Sequence, residues 1–250
     1  VDDTLTANTI HITRHDETAI EAYQARPGHT ERRGGVVVIH HLPGYDQPTK
    51  EITRRFAEMG YDAVMPNLYW REGAGVDPND AAAAVRARGG QPDEQVVSDI
   101  ADAIAHLREL DTSNGKVGVI GYCSGGRQTV LVACSLDVDA AVDCYGGAVT
   151  VPPPPAAKLA MTSLIDKLPD LRAPLLGLFG NDDQFPAPDH VDTLAEILDA
   201  NGKAYEFHRY DGTGHGFFSV DKPAYRPASA VDGWERIETF FGAHLSADPS

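Results

Sequence analysis

A short apolar run over residues 117–120 leads straight into Gly121-Tyr122-Cys123-Ser124-Gly125, and a mostly apolar helical stretch follows at once over 127–134. Two glycines bracketing one reactive side chain at a strand-to-helix junction imply a turn too tight for a Cβ at either bracket. The pattern is the nucleophile elbow G-x-S-x-G with Cys in the third place. Such a turn lifts the sulfur above a sheet, at a helix N-terminus whose partial positive charge favours the thiolate. It also aims the Ser124 backbone N–H at a developing oxyanion. Ser124 is not itself the nucleophile: a pentapeptide centred on it would need Gly at 122, where Tyr122 stands. The bland alternative is a buried cysteine on a glycine-rich turn, and the strand and helix on either side weigh against it.

The rest of the chain has the rhythm that such an elbow requires. Ile10 and Ile12, then Ile20, Ala22 and Gln24, alternate with period two around a polar turn at 14–18 and predict a hairpin at a sheet edge. Residues 36–39 are continuously apolar and β-branched, as in a strand buried on both faces. Ile52, Phe56 and Met59 mark a helix opening near Pro48, and Ile100, Ile104 and Leu107 mark another. Short strands are expected at 63–65, 140–144, 175–179 and 205–210, with helices carrying Val191, Leu194 and Leu198, and then Trp234, Ile237, Phe241 and Leu245. Repeated β-then-α order predicts a mostly parallel central sheet with helices on both faces, an α/β fold. Residues 72–95 (with a weak helix at 81–84) and the proline-rich stretch opening at 151 break the rhythm. Both follow strands and are expected as loops, over 72–95 and 151–170, near the carboxyl edge where open α/β sheets bind ligands. The pattern resumes after each, so one domain spans 1–250, with 1–30 as the edge hairpin.

Composition narrows the partners. A chain of 250 residues buries enough surface, roughly 70–75%, to need no disulfide or structural metal. The net charge of −16 disfavours nucleic acid and anionic membranes. It also works against anionic substrates unless a local Arg corrects the field. Cys123, Cys134 and Cys144 form no zinc spacing and cannot all pair, which fits a reducing compartment. With no secretory signal visible and only strand-sized apolar runs, a cytoplasmic protein is expected. No cofactor is implied, and a monomer or small homo-oligomer acting on a small molecule is the natural form.

An elbow of this kind needs an acid and then a histidine downstream. Gly180-Asn181-Asp182-Asp183 follows the 175–179 strand, and Gly214-His215-Gly216-Phe217 lies between the last strand and the last helix. His215 would deprotonate Cys123 and later activate water, while the acid would hold the imidazole tautomer. Taken singly, an Asp pair after a strand is usually a turn, and a His between glycines usually a solvated loop residue. Their order, each after its own strand, is what makes them a candidate triad. Neighbouring side chains at a strand end diverge, so only one of Asp182 and Asp183 reaches His215.

From about residue 36 to the final helix the chain resembles the dienelactone hydrolase family, which has the α/β-hydrolase fold. The resemblance rests on Gly121-Tyr122-Cys123-Ser124-Gly125-Gly126, Pro66-Asn67-Leu68-Tyr69-Trp70-Arg71, Asn114-Gly115-Lys116-Val117-Gly118, Tyr145-Gly146, the 180–186 segment and Gly214-His215-Gly216-Phe217. It implies a hydrolase opening lactones of the carboxymethylenebutenolide type, without metal or cofactor. It implies Asp183 as the acid, and the Leu42 backbone N–H as second oxyanion donor beside Ser124. Arg71 would contact a substrate carboxylate, although a surface salt bridge is an equal reading of that residue. His41, Tyr145 and Phe217 complete the expected substrate surroundings.

Two positions depart from the family pattern. Family members carry a glutamate before the residue matching Leu42 and an arginine four residues after the histidine. That pair holds the resting cysteine as a thiol until an anionic substrate displaces the arginine. His41 and Ser219 stand there instead. Cys123 is then expected to rest as a thiolate beside the His215 imidazolium, and another ester-like substrate is favoured. His40 and His41 do not make a metal site, since adjacent strand residues point apart and no third ligand is near. A thioesterase or acyltransferase would use the same three residues, and a non-catalytic ligand-binding relative would usually have lost one of them.

Overall fold

The computed structural model describes residues 4–246. β1 (Leu5–Thr13) and β2 (Ala19–Pro27) form the expected antiparallel hairpin, with Ile10 opposite Ala22 and Ile12 opposite Ile20. β1 is the sheet's edge and its side chains are mostly exposed. β3 (Arg33–Ile39) is buried at every residue. Val36 and Val38 pack on one face of the sheet and Val37 and Ile39 on the other, which is why the run carries no polar alternation.

After β3, α1 (Gln47–Glu58) starts where Asp46 caps it: the carboxylate accepts the Thr49 N–H at 3.0 Å, and Pro48 occupies the first turn. β4 (Asp62–Pro66) follows, then α2 (Pro78–Ala87) and α3 (Asp93–Arg108). β5 (Ser113–Tyr122) runs into α4 (Ser124–Ser135) through the single residue Cys123. β6 (Ala140–Cys144), β7 (Leu175–Gly180), α5 (Pro188–Ala200), β8 (Tyr205–Tyr210) and α6 (Pro227–Leu245) complete the chain.

The eight strands lie in the order β1-β2-β4-β3-β5-β6-β7-β8, and β4, β3, β5, β6, β7 and β8 are parallel to one another. Phe56 of α1 and Trp234, Ile237 and Phe241 of α6 pack on one face. α3, α4 and α5 cover the other through Ile100, Ile104, Val130, Leu131, Val191 and Leu194. β3 connects outward to β4, while its other neighbour, β5, continues the sheet the opposite way. The crevice at such a reversal is where open α/β sheets hold ligands.

Two expectations need correction in detail. The 72–95 stretch is largely helical rather than loop: α2 has ten residues, and the Asp77 carboxylate caps it by accepting the Asn79 N–H at 2.9 Å. The proline-rich segment contains short 3₁₀ turns at Pro155–Ala157 and Ile165–Asp170. The two stretches touch, the Ala160 N–H donating to the Gly89 carbonyl at 2.6 Å. No helix among the described residues is long and apolar enough to cross a membrane.

Candidate active site

Cys123 holds φ 57° and ψ −120°, a conformation costly for a side chain and kept here by what surrounds it. A Cβ on Gly121 would stand 2.0 Å from the Gly125 carbonyl oxygen, and one on Gly125 would stand 2.2 Å from that of Ile39. Both bracketing positions are therefore closed to any side chain, as the spacing predicts. Cys123 is only partly buried, whereas Cys134 and Cys144 are buried and all three are free thiols.

The loops after β7 and β8 bring the other two residues together. His215 Nδ1 lies 2.8 Å from Asp183 Oδ2. Asp183 is 3% exposed, and its other oxygen accepts the Phe185 N–H at 2.9 Å. Asp182 faces solvent, so the structure joins His215 to Asp183 and not to its neighbour. On its other side His215 is hydrogen-bonded to Cys123. Burial alone would lower the imidazole pKa. The hydrogen bonds and charges of Asp183 and Cys123 outweigh burial and raise it to about 10, so the ring is held as imidazolium.

Tyr145 forms the wall beside that ring. It has φ 46°, and its ring meets His215 edge-on at a centroid distance of 5.0 Å. Its hydroxyl is hydrogen-bonded to the Phe218 backbone and the Ser219 side chain. Phe217 stands differently from the sequence reading. It is 0% exposed, edge-on to Tyr145 and Tyr210 and stacked on Phe218 at 4.7 Å. With no free surface it supports Tyr145 and cannot line a substrate site; Phe218, one residue on, borders an open cavity instead.

The loop after β3 carries Leu42, whose neighbours are fixed by two diverging histidines. His40 is 1% exposed, accepts the Leu68 N–H on Nε2 at 3.1 Å and donates from Nδ1 to the His41 carbonyl at 2.9 Å. Burial lowers its pKa to about 4, which keeps it neutral and fixes that tautomer. His41 turns the other way and hydrogen-bonds Asp46 at 2.9 Å. Burial works to raise the Asp46 pKa, but His41 and Thr49 hold it well below the usual carboxylate range. Among the described residues no group of three or more His, Cys, Asp or Glu side chains is placed to hold a metal ion.

Arg71 also departs from expectation. Its two terminal nitrogens donate to the carboxylate oxygens of Asp99 at 2.7 and 2.8 Å, and its guanidinium lies 4.4 Å from the Trp70 ring centroid. The bidentate fork is committed to a fully buried aspartate, so the salt-bridge reading replaces that of a substrate contact.

Two residues beside the site were not singled out from sequence. Tyr69 is buried within electrostatic range of Cys123, its hydroxyl pushed above the ordinary range chiefly by burial. The signal was its place in the loop just after β4. Asp143 is fully buried near the end of β6, with one oxygen accepting the Gly146 N–H at 2.7 Å and the other unpartnered. Burial raises its pKa to about 7, against the pull of the Gly146 hydrogen bond and the His215 charge. An Asp inside an apolar strand pattern was the available signal.

The family model for the dienelactone hydrolase family matches residues 20–245. A protein of Methylorubrum extorquens named "Putative carboxymethylenebutenolidase" is 33% identical over 242 residues, covering 95% of this chain and 81% of its own. A carboxymethylenebutenolidase of Pseudomonas putida is 30% identical over 220 residues, covering 86% of this chain and 87% of its own. A solved Klebsiella pneumoniae structure, "Putative Dienelactone Hydrolase", superimposes with TM-score 0.85 at 28% identity, covering 96% of this chain and all of that one.

Proposed function

The chain belongs to the dienelactone hydrolase family, and from that premise we propose that it hydrolyses small carboxylic esters or lactones with Cys123 as nucleophile, His215 as proton carrier and Asp183 as the orienting acid. The reading is carried by one observation: His215 bridges Asp183 and the elbow cysteine, and both partners favour its protonated form. The thiolate attacks the carbonyl carbon and the carbonyl π pair moves to oxygen. The Ser124 and Leu42 backbone N–H groups are assigned to that oxyanion. Collapse expels the alkoxide, which takes the proton of His215 as it leaves. The imidazole, now neutral, removes a proton from water as the water attacks the thioester. A second collapse releases the acid and restores thiolate and imidazolium.

The substrate follows from where the cations are. Arg71 is bound to Asp99, and Arg88 is paired with Glu72. His41 is tied to Asp46, and Ser219 offers no charge. An uncharged ester or lactone therefore suits the site better than a carboxylate-bearing dienelactone.

Short p-nitrophenyl esters assayed beside a dienelactone test both parts. The wild type is expected to favour the neutral esters. Cys123→Ala and His215→Ala should each cost several orders of magnitude with thermal stability little changed, and Asp183→Asn should cost less. Undiminished turnover by Cys123→Ala would refute the nucleophile assignment, and greater loss in Asp182→Asn than in Asp183→Asn would refute the acid.

A further inference from the structure

A cavity of about 300 Å³ opens beside the candidate triad, between α1, the start of the 217–221 loop and α6. Its walls are sequence neighbours of the reacting groups. Tyr122 adjoins Cys123, His41 adjoins Leu42, Phe218 and Ser219 follow His215, and Tyr145 packs on the His215 ring. We propose that this cavity is a specificity subsite that takes an uncharged hydrocarbon group of the ester, an aromatic ring or a short branched chain. The proposal rests on the ester-hydrolase reading and names the class of substrate.

Three features of the cavity carry it. The interior is apolar: Ile52 and Pro48 of α1 face Tyr122, Tyr145, Phe218 and Trp234 across it. The carboxylates at its border are already paired. Arg55 lies over the Trp234 ring at 4.0 Å, Asp221 pairs with Lys222 at 2.9 Å, and Glu51 pairs with Arg54. The one arginine among the lining residues, Arg55, lies against that ring at the border, and bringing an anion past it into the apolar interior would cost the anion its hydration. The size also fits, because an apolar cavity of about 150 Å³ suffices for benzene. The Tyr122 hydroxyl is buried without a hydrogen-bond partner among the described residues, so Tyr122 gives the cavity the face of its ring.

The hydrocarbon group could belong to the acyl or to the alcohol part of the ester, and two substrate series separate these. One lengthens the acyl chain of p-nitrophenyl esters, and the other varies the alcohol of acetate esters from methyl to cyclohexylmethyl and benzyl. In one series kcat/KM should rise roughly fourfold per buried methylene over the first few carbons, the transfer free energy of a CH₂ expressed as a rate ratio. Ile52→Phe, which narrows the cavity, should flatten that rise, and Ile52→Ala should move the optimum to longer groups. A flat response in both series, or the same profile in both variants, would overturn the proposal. So would equal preference for an ester bearing a free carboxylate on the same chain. Binding without turnover keeps this separate from the hydrolase reading. In Cys123→Ala, cyclohexanol should perturb the fluorescence of Trp234, and Ile52→Phe should weaken that response at least several-fold. If no ester is hydrolysed but this binding holds, the hydrolase reading fails and the cavity assignment stands. If cyclohexanol leaves Trp234 unperturbed, the cavity assignment falls.

Discussion

The positive charge on His215 is the most consequential property of any single residue here, because the ring stands between the acid and the sulfur. An imidazole with a pKa near 10 is an imidazolium throughout the neutral range, and its two hydrogen-bond partners are the acid and the thiol. Both partners raise the proton affinity of the ring against the pull of burial. Removing one partner should show it directly. Following the His215 ring protons by NMR, the wild type is expected to titrate near 10, and Cys123→Ala and Asp183→Asn each lower, since both partners raise it. Unchanged titration in Cys123→Ala would mean that the sulfur is no partner of the ring. The same residues show what a sequence can and cannot reveal. Cys123 was legible because the glycines that bracket it report backbone crowding, and His215 because it lies between the last strand and the last helix, next to Gly216 at φ 78°. The two readings of Arg71 stayed open because its partner, Asp99, lies 28 residues away on α3. Arg71→Ala is accordingly expected to lower stability by about 2 kcal/mol, less than the full loss of a buried pair because Trp70 still donates to Asp99. Its effect on charged and neutral esters should be equal; a KM rise confined to carboxylate-bearing esters would restore Arg71 to the substrate.

At the scale of elements, the order of strands and helices was readable because each parallel strand is a compact apolar run and each helix carries a 3.6-residue stripe. The irregular stretches were not. α2 is alanine-rich with little amphipathic contrast, so its periodicity is faint, although Asp77-Pro78 is a capping signal that would have located it. What holds these stretches to the sheet was invisible in the pattern. Arg127, fully buried at the start of α4, donates to both oxygens of Asp93 at 2.7 and 3.0 Å. It also reaches the Thr162 carbonyl at 2.9 Å and the Ala148 carbonyl at 3.3 Å. One guanidinium thus joins the elbow helix to the first residue of α3 and to two points of the stretch between β6 and β7. Its truncation leaves Asp93 and two carbonyls without that donor. Arg127→Met is expected to cost about 3 kcal/mol in chemical denaturation and to loosen the 148–162 region in hydrogen exchange. A loss below about 1 kcal/mol would mean that these contacts are incidental.

For the molecule as a whole, the response to pH follows from which buried groups bind protons more tightly when folded. The net charge of −16 already disfavours the compact state at neutral pH through self-repulsion. Asp143 adds a specific term. Its carboxyl has a pKa of about 7 in the folded protein against 3.8 for a free aspartate, because burial penalises the anion more than the Gly146 N–H and the His215 charge support it. The folded state therefore holds this proton more tightly than the unfolded chain. That contribution is complete below about pH 3.8 and is lost as pH rises through about 7. His215 has the same sign but a higher window: its contribution, complete below about pH 6.5, fades as pH rises through about 10. Asp46 has the opposite sign, helping above about pH 3.8 and failing only in strong acid. Between about pH 4 and 6.5 Asp143 is thus the group among these three that sets the slope, and above about pH 7 His215 takes over. Asn at that position keeps the oxygen that accepts the Gly146 N–H and cannot ionise. Asp143→Asn should therefore melt higher than the wild type at about pH 8, by at least roughly 4 °C if the term is worth 1–2 kcal/mol or more. The two melting curves should converge towards about pH 4, where the wild-type carboxyl is neutral in the folded state as well. Thermal scans of both proteins across that range are the measurement, and parallel melting profiles would show that the Asp143 carboxyl is ionised, or neutral, in both folded and unfolded chains alike.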